Sequence, residues 1–129
     1  MSDGTVEKTV LIADDEPSLR ILVQATIASE QYRVVEAVDG DEAWRLLLEH
    51  KPAVALLDVQ MPGRSGLELT RAIRSDASLA ATHVILLTSQ AQDSDIQRGL
   101  AAGADRYLTK PFSPLELLTV VEDALGLNP

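Results

Sequence analysis

Val10-Leu11-Ile12-Ala13-Asp14-Asp15-Glu16-Pro17-Ser18 decides how this chain folds. The apolar run at 10–13 is short and lacks polar alternation, the pattern of a strand buried on both faces of a sheet. Asp14-Asp15-Glu16 breaks it, and Pro17 stands where a helix accepts proline, in its first turn. Leu19, Leu22, Val23, Thr26 and Ile27 then recur at helical spacing and make one apolar face. A buried strand thus leads through an acidic corner into an amphipathic helix.

The same order repeats along the chain. Residues 33–37 read as a second, half-exposed strand. Asp39-Gly40-Asp41 makes a turn and starts a helix that carries Ala43, Leu46 and Leu47 inward, reaches about His50 and stops before Pro52. Ala53-Val54-Ala55-Leu56-Leu57 is a third strand, apolar throughout and ending at Asp58. After the loop Pro62-Gly63-Arg64-Ser65-Gly66, Leu69 and Ile73 mark a helix face. Val84-Ile85-Leu86-Leu87 is a fourth buried strand ending at Thr88, and the next helix, with Ile96 and Leu100 on one face, is stopped by Gly103. Arg106-Tyr107-Leu108 is a shorter fifth strand ending near Lys110-Pro111. Ser113-Pro114-Leu115-Glu116 is a capped helix start, with Leu118, Val121 and Leu125 on the apolar face and Gly126 ending the helix.

Strand and helix alternating five times imply a parallel sheet covered by helices on both faces. The expected fold class is α/β: a (βα)5 doubly wound, five-stranded parallel sheet of order 2-1-3-4-5, flavodoxin-like. Residues 9–126 form one domain, with 1–8 expected as a flexible N-terminus and 127–129 as a C-terminal tail.

Composition narrows the function classes. In 129 residues, 46% are hydrophobic and 3% aromatic, so the core is aliphatic. A formal net charge of −9 without a basic stripe argues against direct binding of nucleic acid or of an anionic membrane. The chain has no cysteine, which removes disulfides and thiolate metal sites. Its first nine residues lack the apolar core of a signal peptide, and no apolar run approaches the ~20 residues that span a bilayer. A cytoplasmic location is expected. His50 and His83 stand alone, without metal-ligand spacing, and Trp44 reads as a partly exposed packing residue.

In a doubly wound sheet the functional crevice lies at the carboxyl ends of the strands. That rule gathers Asp14 and Asp15 after the first strand, Asp58 at the end of the third, Thr88 at the end of the fourth and Lys110 after the fifth. Three carboxylates in one crevice repel one another, so either positive charge is present or one of them stays protonated. Lys110 supplies one ammonium. Oxygen-only ligation favours Mg2+, with Mn2+ as an alternative, over zinc. A carboxylate so placed can attack phosphorus to give an aspartyl phosphate, with the cation, Lys110 and the Thr88 hydroxyl around its oxygens.

These residues and their flanks resemble the response-regulator receiver domain of two-component signalling. The matching pieces are Asp14-Asp15-Glu16-Pro17, Asp58-Val59-Gln60-Met61-Pro62-Gly63-Arg64-Ser65-Gly66, Leu87-Thr88-Ser89 and the run from Gly103 to Phe112. The resemblance covers about residues 9–125. It implies that Asp58 accepts a phosphoryl group from a sensor histidine kinase or a histidine phosphotransfer protein. It implies that Asp15 binds the metal directly, Asp14 through water, and Gln60 by its backbone carbonyl. It further implies that Thr88 and Lys110 hold the phosphoryl oxygens, that Tyr107 is a rotating switch aromatic, and that the Lys110-Pro111 bond is cis. A downstream output protein or domain would read the change. The chain would be a monomer or weak dimer, and no enzyme beyond its own phosphorylation and dephosphorylation.

Three other readings compete. A flavodoxin-like redox domain needs an uncharged, donor-rich loop where Asp14-Asp15-Glu16 stands. Phosphatases similar to the haloacid dehalogenases place the nucleophile in an Asp-x-Asp pattern after the first strand, and here the two aspartates are adjacent. A phosphorylation-independent interaction module on the same fold usually lacks an acidic-pocket residue or the lysine, and this chain keeps Asp14, Asp15, Asp58, Thr88 and Lys110.

Overall fold

A computed structural model describes residues 8–27, 32–89 and 93–126. Five strands, β1 (Lys8–Ala13), β2 (Tyr32–Ala37), β3 (Val54–Asp58), β4 (His83–Thr88) and β5 (Arg106–Thr109), alternate with five helices. The helices are α1 (Pro17–Ile27), α2 (Gly40–His50), α3 (Gly66–Arg74), α4 (Asp93–Ala101) and α5 (Pro114–Ala124). A short 3₁₀ turn, Ala77–Leu79, precedes β4. The sheet order is β2-β1-β3-β4-β5 and every pairing is parallel, as the alternation implies. The Lys110-Pro111 peptide is cis. No helix among the described residues is long and apolar enough to cross a membrane.

Side chains on successive strand residues leave opposite faces of the sheet. Val10 and Ile12 of β1 join Leu56, Ile85, Val23 and Leu117 beneath α1 and α5. Leu11 and Ala13 join Leu57, Leu86, Leu47 and Ile73 beneath α2 and α3. Both faces are covered, which is why the central strands β1, β3 and β4 read as apolar runs.

The helix starts follow local chemistry. Asp39 caps α2 by accepting from the Glu42 N–H. Ser65 and Ser113 form capping boxes with Glu68 and Glu116 at the starts of α3 and α5.

Several expectations are corrected. β1 begins at Lys8, inside the segment expected to be flexible, whose other residues, like the 127–129 tail, lie outside the described residues. β2 begins at Tyr32 and β3 at Val54, each one residue from the expected start. On α5, Leu117 and Val120 are buried with Val121, whereas Leu118 is only partly covered.

On α4, among the residues whose burial is described, Gly99 is the buried one, and Leu100, expected inward, is 43% exposed. A β-carbon on Gly99 would lie 2.7 Å from Leu86 Cδ1. The helix therefore packs its bare backbone on β4, a contact invisible to apolar periodicity.

Candidate functional site

Parallel β1 and β3 are hydrogen-bonded neighbours, although about forty residues of chain lie between them. Their carboxyl ends bring Asp14, Asp15 and Asp58 together. One carboxylate oxygen from each lies within 4.8 Å of the other two. Asp14 is fully buried and Asp58 is 7% exposed, while Asp15 faces solvent.

Lys110 reaches this cluster from the end of β5. Its Nζ lies 2.8 Å from Asp14 Oδ2 and 3.4 Å from Asp58 Oδ2. Its backbone N–H donates to the Thr88 carbonyl at 2.8 Å, which fixes the residue against the end of β4. Asp14 is held on both oxygens, since Oδ1 accepts from the Glu16 N–H at 2.9 Å. Asp58 Oδ1 accepts from the Gln60 N–H at 3.2 Å.

The electrostatics follow from burial and charge count. Burial disfavours the charged form of Asp58, the Asp14 carboxylate adds repulsion, and Lys110 and the Gln60 N–H only partly compensate. The Asp58 pKa is pushed up to about 6. Burial works against the Lys110 ammonium too, but its hydrogen bond to Asp14 and the charges of Asp58 and Asp14 outweigh this and raise its pKa. Three acids thus share one ammonium, and all donors are oxygen. That excess of negative charge and that donor set fit a hard divalent cation.

Beside Asp58 opens a groove lined by Asp58, Val59, Gln60, Leu67, Thr88, Ser89 and Arg98. Thr88 is 8% exposed at its wall. Tyr107 is 39% exposed on β5 and, with Thr88, Val59, Leu86, Ile96 and Gly99, lines a small apolar hollow.

The loop after Asp58 is anchored by α2. The Gly40 N–H donates to the Pro62 carbonyl at 2.9 Å, and the Arg64 guanidinium lies 5.2 Å from the Trp44 ring centroid. Trp44 is half-buried, as expected of a packing residue.

The structure therefore brings together Asp14, Asp15, Asp58, Thr88 and Lys110, with the Gln60 backbone beside them. His50 pairs with Glu49 at 3.0 Å and His83 lies 3.9 Å from Asp105, both away from the acidic cluster. The sequence reading missed Arg98, which lines the groove, and Arg20, whose Nη1 donates to the Asp14 carbonyl at 2.7 Å. No spacing marks Arg20, because its partners lie on other strands.

Comparison with known proteins agrees with this geometry. Residues 10–122 match the family model of the response regulator receiver domain. The chain is 38% identical over 120 residues to the response regulator GtcR of Aneurinibacillus migulanus, covering 93% of this chain and 48% of that protein. It is 37% identical over 120 residues to the phosphate regulon transcriptional regulatory protein PhoB of Pseudomonas aeruginosa, covering 93% and 52%. The chain thus spans about half the length of these curated relatives.

Among solved structures, the chemotaxis response regulator CheY4 of Vibrio cholerae superposes with a TM-score of 0.86 at 33% identity, covering 92% of this chain and 99% of that one. The receiver domain of a Pseudomonas aeruginosa PAO1 sensor histidine kinase, with a magnesium ion coordinated in its active-site cleft, superposes with a TM-score of 0.84 at 30% identity, covering 94% and 99%. With its fold, its acidic corner and these matches in agreement, the chain belongs to the response regulator receiver domain family of two-component signalling.

Proposed function

We propose that this domain is a phosphoacceptor switch in which Asp58 takes a phosphoryl group from the phosphohistidine of a sensor kinase or histidine phosphotransfer protein. One observation carries the reading. The Asp58 carboxylate lines an open groove 3.4 Å from the Lys110 ammonium, with two more carboxylates close enough to share a cation.

In the transfer, an Asp58 carboxylate oxygen attacks phosphorus as the donor's P–N bond breaks and the imidazole leaves with the bond's electron pair. Lys110 and the Thr88 hydroxyl hold phosphoryl oxygens. In this reading Asp15, the exposed member of the cluster, and Asp58 ligate Mg2+, or Mn2+ in its place, directly, with Asp14 acting through water and Gln60 by its backbone carbonyl. When bound, that cation neutralises charge on the phosphoryl oxygens.

Phosphorylation draws Thr88 toward Asp58 and enlarges the hollow behind it, into which Tyr107 turns. The surface formed by α4, β5 and α5, where Leu100 and Leu115 stand exposed, then changes for an output protein or domain. The chain turns over no external metabolite in this reading, and works in the cytoplasm as a monomer or weak dimer.

The direct test is intact mass after incubation with Mg2+ and acetyl phosphate. One base-labile phosphoryl adduct is expected with Mg2+ and none with a chelator; no adduct under either condition would sink the proposal. A second expectation follows from the raised pKa of Asp58, about 6. Below that value a proton competes with the cation for the carboxylate, so Mg2+ affinity falls by about tenfold per pH unit. Calorimetric titration at about pH 7.5 and about pH 5 measures this, and equal affinities at the two values would refute it.

A further inference from the structure

We propose that Arg20 is a positioning residue for the cation at the acidic corner, an inference that rests on the metal-assisted reading above. Asp15 is exposed, and among the described residues no hydrogen bond or ion pair engages its side chain. The backbone on either side therefore aims its carboxylate.

The peptide entering the corner is fixed by the Asp14 N–H, which donates to the Ala37 carbonyl at 3.1 Å. The peptide joining Asp14 to Asp15 is fixed at its other end. Arg20 Nη1 donates to the Asp14 carbonyl at 2.7 Å. A peptide unit is planar, so holding that carbonyl holds the Asp15 N–H and the direction in which the Asp15 Cα leaves.

Arg20 lies near the start of α1, where side chains lean back toward the helix N-terminus. Its guanidinium is carried over the corner in this way. It is itself anchored: Nε donates to Glu36 on β2 at 3.2 Å, and the side chain is only 15% exposed. Gln24, on the next turn, donates to the same Glu36 at 3.1 Å and to the Val34 carbonyl at 3.2 Å. A planar fork can hold a carbonyl and a carboxylate at once in fixed geometry, which an ammonium on a flexible stem cannot.

The charge of Arg20 acts in the opposite sense. A cation beside the corner repels a second cation, so charge alone would make its removal tighten Mg2+ binding. Positioning makes its removal weaken binding, and loss of an outer partner of a metal ligand costs about tenfold or more in affinity.

The experiment is calorimetric Mg2+ titration of the unphosphorylated parent, Arg20→Ala and Arg20→Lys, with thermal unfolding of each in the absence of metal. Arg20→Ala is expected to bind about tenfold more weakly, and Arg20→Lys several-fold more weakly despite its retained charge. Affinity in Arg20→Ala equal to or tighter than the parent's, or an Arg20→Lys variant that binds like the parent, overturns the proposal. If Arg20→Ala fails to fold, Arg20→Lys, which keeps the aliphatic stem, decides alone. A parent that binds no Mg2+ overturns the metal-assisted reading itself, an outcome distinct from a binding parent with unchanged variants.

Discussion

Asp58→Asn is expected to abolish the phosphoryl adduct and, without Mg2+, to make the fold more stable at neutral pH. The first effect follows from removing the nucleophile. The second follows from the charge balance at the corner. Asp58 titrates at about 6 in the folded chain against 3.8 for an ordinary aspartate. Between those values the native state keeps a proton that the unfolded state has lost, so its stability falls as pH rises and the full penalty stands above about 6.

Asparagine carries no charge and escapes that penalty. Without metal, the variant's melting temperature should exceed the parent's by roughly 5 °C near pH 7.5, equivalent to about 1–2 kcal/mol for a domain of this size. Near pH 4 the gap should close, because the parent carboxyl is then largely protonated. Saturating Mg2+ should narrow or reverse the gap at neutral pH, since a ligand that binds the native state stabilises the parent by mass action. A melting temperature below the parent's at neutral pH without metal would contradict the repulsion argument, and a surviving adduct would contradict the phosphoacceptor assignment.

Gly40→Ala is expected to cost about 2–4 kcal/mol, among the largest effects of any single methyl group in this chain. Gly40 is the buried first residue of α2, and its φ is not among the positive ones. Its requirement is spatial: a β-carbon there would collide with the backbone carbonyl of Arg64. The loop that follows Asp58 rests directly on this glycine, also through the hydrogen bond from the Gly40 N–H to the Pro62 carbonyl.

Gly126 is the useful contrast. Its φ is +75° and a β-carbon there would meet nothing within 4 Å, so Gly126→Ala should cost only about 1 kcal/mol, from backbone strain. Denaturant midpoints of the two variants measure the difference. Equal midpoints would mean that the Arg64 loop moves aside freely.

Much of the candidate site was legible because its residues stand where apolar runs stop. Asp58 ends the run 53–57, Thr88 ends 84–87, and Asp14-Asp15 ends 10–13. An ionisable or polar group abutting a buried strand is conspicuous, and the crossover rules of a parallel sheet carry all three ends to one rim. Lys110 was legible through the segment that surrounds it, since by itself it resembles any surface lysine.

What stayed hidden depends on pairs of residues from different elements. Gly40 reads as a turn glycine, and only the arrival of Arg64 explains it. Arg20 reads as an ordinary helix arginine, and only β2 and the end of β1 give it partners. Leu100 reads as a core residue of α4, and only the approach of Gly99 to Leu86 turns it outward.

By itself, then, the sequence determined the alternation of strands and helices, the parallel sheet and its order, and which polar residues share its rim. Those follow from local periodicity and from the few topologies that periodicity allows. The tertiary structure alone decided which face α4 buries, how close the loop after Asp58 comes to α2, and which side chain holds the corner that aims Asp15. Each is settled within a few ångströms between different elements of the fold, where the contact belongs to the pair and neither partner's own stretch of sequence encodes it.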